Sequence, residues 1–369
     1  IAIETREERC CNRGFHNSLL EMSLKTKTFR YWIHLYLYNN SFILHVKRNI
    51  KSHLFSNSVL LVCFPYILLN YWFSMFYEKA WGFRKVEKIM EKERSEIFKH
   101  EVAIVSISKN EGPYLIEWIE FHRMVGVTKF YFYDNESNDD TLDLLKPYIE
   151  AGIVDYTLQR GKAQQLVAYN DAIKKHKREC RWMAFLDMDE YLMPVDSSKG
   201  LGEVMNELVY KAKLGACGVG VNWAIFGTCG LKHKPEGLIT ENYTKRAENN
   251  YYLNIHIKTI CNPRLVIDYI SPHYPLYVKG GYSIREAWGN RIFGWGASDI
   301  VFRNLRINHY YTKSEEEYIA KRARGLGDRI GIYDDDHFKK YNKYDIEDYS
   351  MKPFISELRN RIVKYPNIR

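Results

Sequence analysis

Residues 182–194 read WMAFLDMDEYLMP. Five apolar residues running into Asp187, Met188, Asp189 and Glu190 describe a short buried strand that delivers acids to the end of a sheet. In an open α/β sheet that is the ligand side, beyond the carboxyl ends of the strands. Two carboxylates one residue apart repel unless a cation lies between them or one holds a proton. A hard divalent ion, Mn²⁺ or Mg²⁺, lets both stay ionised and lets them grip a diphosphate. A solvated acidic turn is the plain alternative, and the strand ahead of the motif weighs against it.

Upstream the pattern repeats. VAIVSI at 102–107 is another buried strand, and Pro113 opens a helix to Val125 with Leu115, Ile116, Trp118, Ile119 and His122 on one face. KFYFYD at 129–134 and residues 153–157 read as strands, residues 141–149 and 163–177 as helices. Strand and helix alternate at crossover spacing, which predicts a mainly parallel sheet covered by helices. Beyond Pro194 the rhythm becomes mixed, with strand-like runs at 217–224 and 264–270. From Ser314 a helical tail follows, EEEYIAKRARG and then FISELRNRIVKY.

Two further strand ends carry polar clusters. SKNEG at 108–112 suits a nucleotide-binding loop or a plain turn. YDNESNDDT at 133–141 supplies an N-cap at Asp139 or Asp140. Its Asp134 also stands where a carboxylate accepts from a uracil ring or a ribose hydroxyl. In NWAIFGTCG, Trp223 offers a face for a sugar ring or for the core, and Gly227 permits close approach.

The chain has 369 residues, enough for a large core, and a net charge of +9 that suits anionic partners without choosing among them. The basic residues are dispersed, which argues against a nucleic-acid arm. Seven cysteines without a CxxC pair argue against a zinc ribbon or disulfide framework and favour a reducing compartment. Residues 1–100 form a basic and hydrophobic N-terminal region. Within it, residues 54–77 lack a formal charge and follow Lys47, Arg48 and Lys51. That segment is expected to associate with a membrane, spanning it or lying on it. A cytoplasmic face is favoured; a Golgi single-pass type II arrangement is the alternative. A charged helix at 87–99 links it to a domain beginning near Glu101.

Taken together, SKNEGPYLIEWIEFHRMVGV, FYFYDNESNDDT, GKAQQLVAYNDA and WMAFLDMDEYLMP resemble glycosyltransferase family 92, a family-2-like group. The resemblance continues through VNWAIFGTCG, IHIKTICNPRLV, SPHYPLY and INHYYTKSEEEYIAKRARG, covering residues 101–325. It implies a GT-A (Rossmann-like) fold, a mixed, mainly parallel sheet flanked by helices; the rhythm of the chain places the catalytic domain at 101–312 and a helical extension at 313–369. It further implies an inverting, metal-dependent transfer from a nucleotide-diphosphate sugar, a UDP-sugar above all, to a glycan or glycolipid. Asp187 and Asp189 match the metal-binding acids, and Glu190 supports them. Asn110, Glu111 and Asp134 match the nucleoside side; Lys162 and Gln165 lie on the donor loop. The base is expected at Glu241, with Glu236 and Asp299 as competitors. His273 is the favoured metal-ligating imidazole. His309 and Lys313 are then left to contact the donor phosphates, and Trp223 the acceptor.

The rivals are a sugar nucleotidyltransferase and a glycan-binding scaffold built on a degenerate transferase. The first wants a phosphate-rich Lys/Gly loop after the first strand, which SKNEG is not; the second wants the acidic motif lost.

Overall fold

The computed structural model describes residues 76–298, 300–325 and 336–367, the side chains of 78 and 79 apart. The chain divides into two compact units, Ile1–Trp81 and Gly82–Arg369. In the first, the described residues 76–81 are helical. The segment 54–77 therefore lies outside the described residues except for Phe76 and Tyr77. Among the described residues no helix is long and apolar enough to cross a membrane.

The second unit begins with α1 (Phe83–Arg94), which ends short of the 87–99 span expected from charge alone. Then β1 (His100–Ser108), α2 (Gly112–Met124), β2 (Lys129–Asp134), α3 (Thr141–Glu150), β3 (Val154–Leu158), α4 (Gln165–His176) and β4 (Cys180–Phe185) follow in the expected alternation. The acidic motif leads directly into β5 (Glu190–Pro194), and α5 (Leu201–Tyr210) and β6 (Ala216–Ile225) come next. After the short α6 (Ile239–Asn242) and β7 (Lys245–Arg246) come β8 (Ile257–Cys261), β9 (Val266–Ser271), β10 (Tyr274–Tyr277), β11 (Tyr282–Arg285) and β12 (Leu305–His309). The chain closes with α7 (Glu315–Arg324), α8 (His337–Tyr341), β13 (Ile346–Glu347) and α9 (Lys352–Lys364).

Nine of the described strands form one sheet in the order β3-β2-β1-β4-β8-β6-β12-β5, with β11 beside β6. β1 to β4 pair in parallel, as crossover helices require. β8 runs antiparallel to both β4 and β6, so β6 points the same way as β4. β12 is parallel to β6, and β5 antiparallel to β12. The result is the GT-A class: a mixed, mainly parallel sheet flanked by helices, with a helical C-terminal tail.

This topology decides where the chemistry sits. β1, β4, β6 and β12 all end at one edge, and β5 and β8 both start there. The loop from β4 to β5, which carries Asp187 and Asp189, lies on that edge. It is held by α2, whose burial extends almost all round the helix. Trp118 donates from its indole to the Glu190 carbonyl at 2.9 Å, and His122 accepts at Nε2 from the Leu192 amide at 3.1 Å. Burial pushes His122 down to about 3, which keeps it neutral. Its Nδ1–H donates to the Trp118 carbonyl, leaving Nε2 as the acceptor that Leu192 uses. The outer side of α2 is covered by α9, where Phe354 meets Phe121 edge-on at 5.6 Å. The cysteines among the described residues, Cys180, Cys217, Cys229 and Cys261, are free thiols.

Candidate active site

A cleft of about 330 Å³ opens at this edge. Ser108 and Glu111 reach it from the end of β1, Asn135 from β2, Asp187 and Asp189 from the β4–β5 loop, and Gln165 from the start of α4. Trp223, His256, Lys258, His273 and His309 form the opposite wall, and Lys321, Arg324, His337 and Tyr341 approach from the C-terminal helices.

Both motif carboxylates face this space with their charges met. Asp187, 37% exposed, accepts from Lys258 Nζ at 2.9 Å and from Gln165 Nε2 at 2.6 Å. Lys258 is itself buried and stands 3.4 Å from Glu190, whose other oxygen accepts nothing among the described residues. Asp189 is buried; the Lys321 ammonium lies directly on its Oδ2, and His309 Nε2 is 3.5 Å from Oδ1. Burial alone would raise the Asp189 pKa, but Lys321 and His309 outweigh it and hold the carboxyl well below its usual range. Burial also holds His309 below its ordinary value despite Asp189 beside it. Lys321 stands first among the groups that meet the Asp189 charge.

Two carboxylates and an imidazole offer oxygen and nitrogen donors that suit Mn²⁺ or Mg²⁺. Among the described residues no three acidic, His or Cys side chains close into a cage by themselves. Such ions are commonly held by one or two carboxylates with substrate phosphates and water completing the shell. The residues present fit that pattern.

The model of glycosyltransferase family 92 matches residues 104–350. The chain belongs to glycosyltransferase family 92. A family 92 protein of Arabidopsis thaliana is 29% identical over 268 residues, covering 69% of this chain and 41% of that protein. A Caenorhabditis elegans protein named beta-1,4-galactosyltransferase is 22% identical over 243 residues, covering 62% of this chain and 52% of the relative. The family 92 chain thus spans about half or less of the length of these relatives. The solved structure of S. aureus TarS residues 1–349 with UDP is 14% identical, with a TM-score of 0.31 over 45% of this chain and 47% of that one. A likeness that slight carries no weight.

The cleft gathers Glu111, Gln165, Asp187, Asp189, Trp223, His273 and His309 from the residues singled out by sequence. Other expected residues stand outside its lining. Asp134 is buried, one oxygen accepting from the Ser137 amide at 2.9 Å and the other from the Tyr156 hydroxyl at 2.7 Å. It shapes the turn after β2. Asn110 sits in the left-handed region at φ 53°, its side chain accepting from the Asn138 amide, which brings Glu111 to the cleft. Lys162 is exposed on the loop before α4. Lys313 is buried, with its ammonium 4.5 Å from the centre of the Tyr114 ring. Glu241 lies on α6, its two oxygens each 2.7 Å from Arg359. Asp299 lies outside the described residues.

Two expectations change emphasis. Of the two histidines, it is His309 that stands against a motif carboxylate. His273 donates from Nδ1 to the Ile257 carbonyl at 2.9 Å, and burial pushes it down to about 3. Trp223 is only 5% exposed, stacked on His256 at 4.9 Å and tilted on His309 at 4.3 Å. It braces the cleft wall beside His309 more than it offers a free face. The close approach that Gly227 permits is made by backbone, since a Cβ there would lie 2.4 Å from the Lys343 carbonyl.

Sequence reading missed Lys258, Lys321 and Arg324. A signal existed for the first, a lysine inside the apolar run IHIKTIC. Lys321 and Arg324 were hidden in a charged tail whose polarity reads equally well as a solvated helix.

Proposed function

We propose that this chain transfers a sugar from a nucleotide-diphosphate donor, a UDP-sugar, to a hydroxyl of a glycan or lipid-linked saccharide, with inversion and with help from Mn²⁺ or Mg²⁺. The observation that carries this reading is the buried Asp189 at the cleft, with the His309 imidazole 3.5 Å away and Asp187 in the same cleft. Asp187, Asp189 and His309 would hold the cation. Bound there, it would offset the negative charge that gathers on the diphosphate as the glycosidic bond breaks.

The chain's own residues do the rest. Glu111 has one oxygen on Arg324, and its other oxygen, like the Ser108 hydroxyl, is buried with no partner among the described residues. These acceptors, with Asn135 beside them, suit the hydroxyls and amide edge of a nucleoside. Lys258 orients Asp187 through its 2.9 Å contact, and the C-terminal helices limit water at the departing phosphate. The C. elegans relative's name makes UDP-galactose the first donor to try. The uncharged segment 54–77 after Lys47, Arg48 and Lys51 supports association with a membrane, where a lipid-linked acceptor would be found.

The test is release of nucleoside diphosphate across a panel of donors with Mn²⁺. Asp189→Asn is expected to lower turnover by about a thousandfold, the scale of losing one preorganised electrostatic contact, while the chain keeps its melting temperature within a few degrees. Transfer at the wild-type rate in that variant, or with excess chelator, would falsify metal-assisted transfer at this site.

A further inference from the structure

Helix α7 enters the site from an anchored start. Ser314 caps it, accepting from the Glu317 amide while the Glu317 carboxylate accepts from the Ser314 amide and hydroxyl. The same carboxylate accepts from Tyr114 on α2 at 2.8 Å and from Tyr243 at 2.5 Å. Residues four and seven positions after Glu317 share its face. They are Lys321 and Arg324, and both line the cleft.

Each of these cations rests on a carboxylate. Lys321 lies on Asp189 Oδ2, with the Tyr311 ring centre 3.5 Å from its ammonium. Arg324 donates to Glu111 Oε1 at 2.6 Å and to the Asn110 carbonyl at 2.5 Å. The Asp189 pair is nearly dry: the carboxylate is 5% exposed and the lysine 15%. Lys109, Lys258, Lys321 and Arg324 outnumber Glu111, Asp187 and Asp189 among the lining residues, four charges against three, so the cleft holds a positive excess before any ligand enters. An ammonium and a divalent ion compete for the same Asp189 oxygen. A lysine on a fixed helix can swing its head by rotating its stem, with no backbone movement.

We propose that Lys321 is a tethered counter-cation that occupies the Asp189 position until a divalent ion displaces it, and that the released ammonium, together with Arg324, then grips the donor's diphosphate. This rests on the metal-assisted reading above. The device keeps a buried carboxylate paired in the empty enzyme. It also couples the two ligands: the ion frees the ammonium that the phosphates need, and the phosphates hold that ammonium away from the ion's carboxylate. Binding of each is therefore tighter in the presence of the other.

Mn²⁺ binding to the full chain without nucleotide, followed by electron paramagnetic resonance of the free ion, tests this apart from activity. If the lysine leaves Asp189 open only a small fraction of the time, Lys321→Met binds Mn²⁺ about tenfold more tightly than wild type. At saturating Mn²⁺ the same variant binds UDP about tenfold more weakly by calorimetry, having lost a charge-assisted contact. Arg324→Met, whose resting partner is Glu111, weakens UDP similarly and leaves nucleotide-free Mn²⁺ binding unchanged. Melting curves confirm folding, and Lys321→Gln serves if the Met variant does not fold. Equal Mn²⁺ affinity in wild type and Lys321→Met overturns the tethered-cation role alone. Loss of nothing in Asp189→Asn, with UDP present, overturns the metal site itself and this proposal with it.

Discussion

A carboxylate taken out of water must have its charge met nearby. Asp189 meets this inside the cleft with Lys321, whereas Glu241, on α6 and only partly buried, is engaged by the exposed Arg359. A general base must reach the proton it takes, directly or through one water. Glu241 does not line the cleft and both its oxygens are engaged by one guanidinium. Glu241→Gln is therefore expected to keep transfer within about threefold of wild type, far from the hundredfold or greater loss typical of a removed base. A rate assay at saturating acceptor decides it, and a loss of that larger size would restore Glu241 as the base. The paired aspartates were legible because a strand followed by DMDE has few other uses. Which histidine stands beside them was not legible, since several follow in sequence and it is the pairing of β12 with β5, His309 opposite Glu190, that brings His309 to Asp189.

At the level of elements, α2 and α6 are joined through one buried carboxylate. Glu117 accepts from the Ile239 amide at 2.8 Å, the Thr240 amide at 3.0 Å and the Thr240 hydroxyl at 2.8 Å, satisfying the open donors at the start of α6. Burial outweighs these bonds and pushes Glu117 up to about 7. The folded chain thus binds a proton that the unfolded chain releases near its ordinary value of 4.5. Between those values the native state holds more protons, so this group's contribution is complete below about 4.5 and is lost as pH rises through about 7. The size is roughly 3 kcal/mol from a shift of that span. Denaturant midpoints measured from pH 5 to pH 8 are expected to decline more steeply in wild type than in Glu117→Gln, which has no proton to lose. Parallel curves would place the Glu117 pKa near its unfolded value.

For the whole molecule, the four strands and three crossover helices before Asp187 were readable because β1, β2 and β4 are buried parallel strands with near-continuous apolar runs and the helices between carry one periodic face. β5, β8 and β12 were harder. β5 is fused to the acidic motif, β8 contains a lysine, and β12 carries Arg306 and His309, so none shows a clean apolar run. What makes Arg306 tolerable inside the sheet domain comes from far along the chain. Asp348, just past β13, accepts from Arg246 of β7 at 2.5 Å and from Arg306 of β12 at 2.8 Å, and all three side chains are under 10% exposed. Burial opposes its ionisation, but the two guanidiniums and the Ser350 bonds hold the carboxyl far below its ordinary 3.8. The carboxylate thus contributes stability that is present above that value and lost as pH falls below it. Asp348→Asn leaves two buried guanidiniums short of a counter-charge, at a cost of about 3–5 kcal/mol. Urea unfolding at pH 7 should show the midpoint fall with the slope unchanged, and the difference from wild type should shrink toward pH 3. Because β12 ends at His309, the same variant should lose UDP binding at temperatures where wild type retains it. A variant that unfolds with wild type at pH 7 would mean that Arg246 and Arg306 are held by other acceptors, and that the C-terminal segment is not what keeps β12 in the sheet.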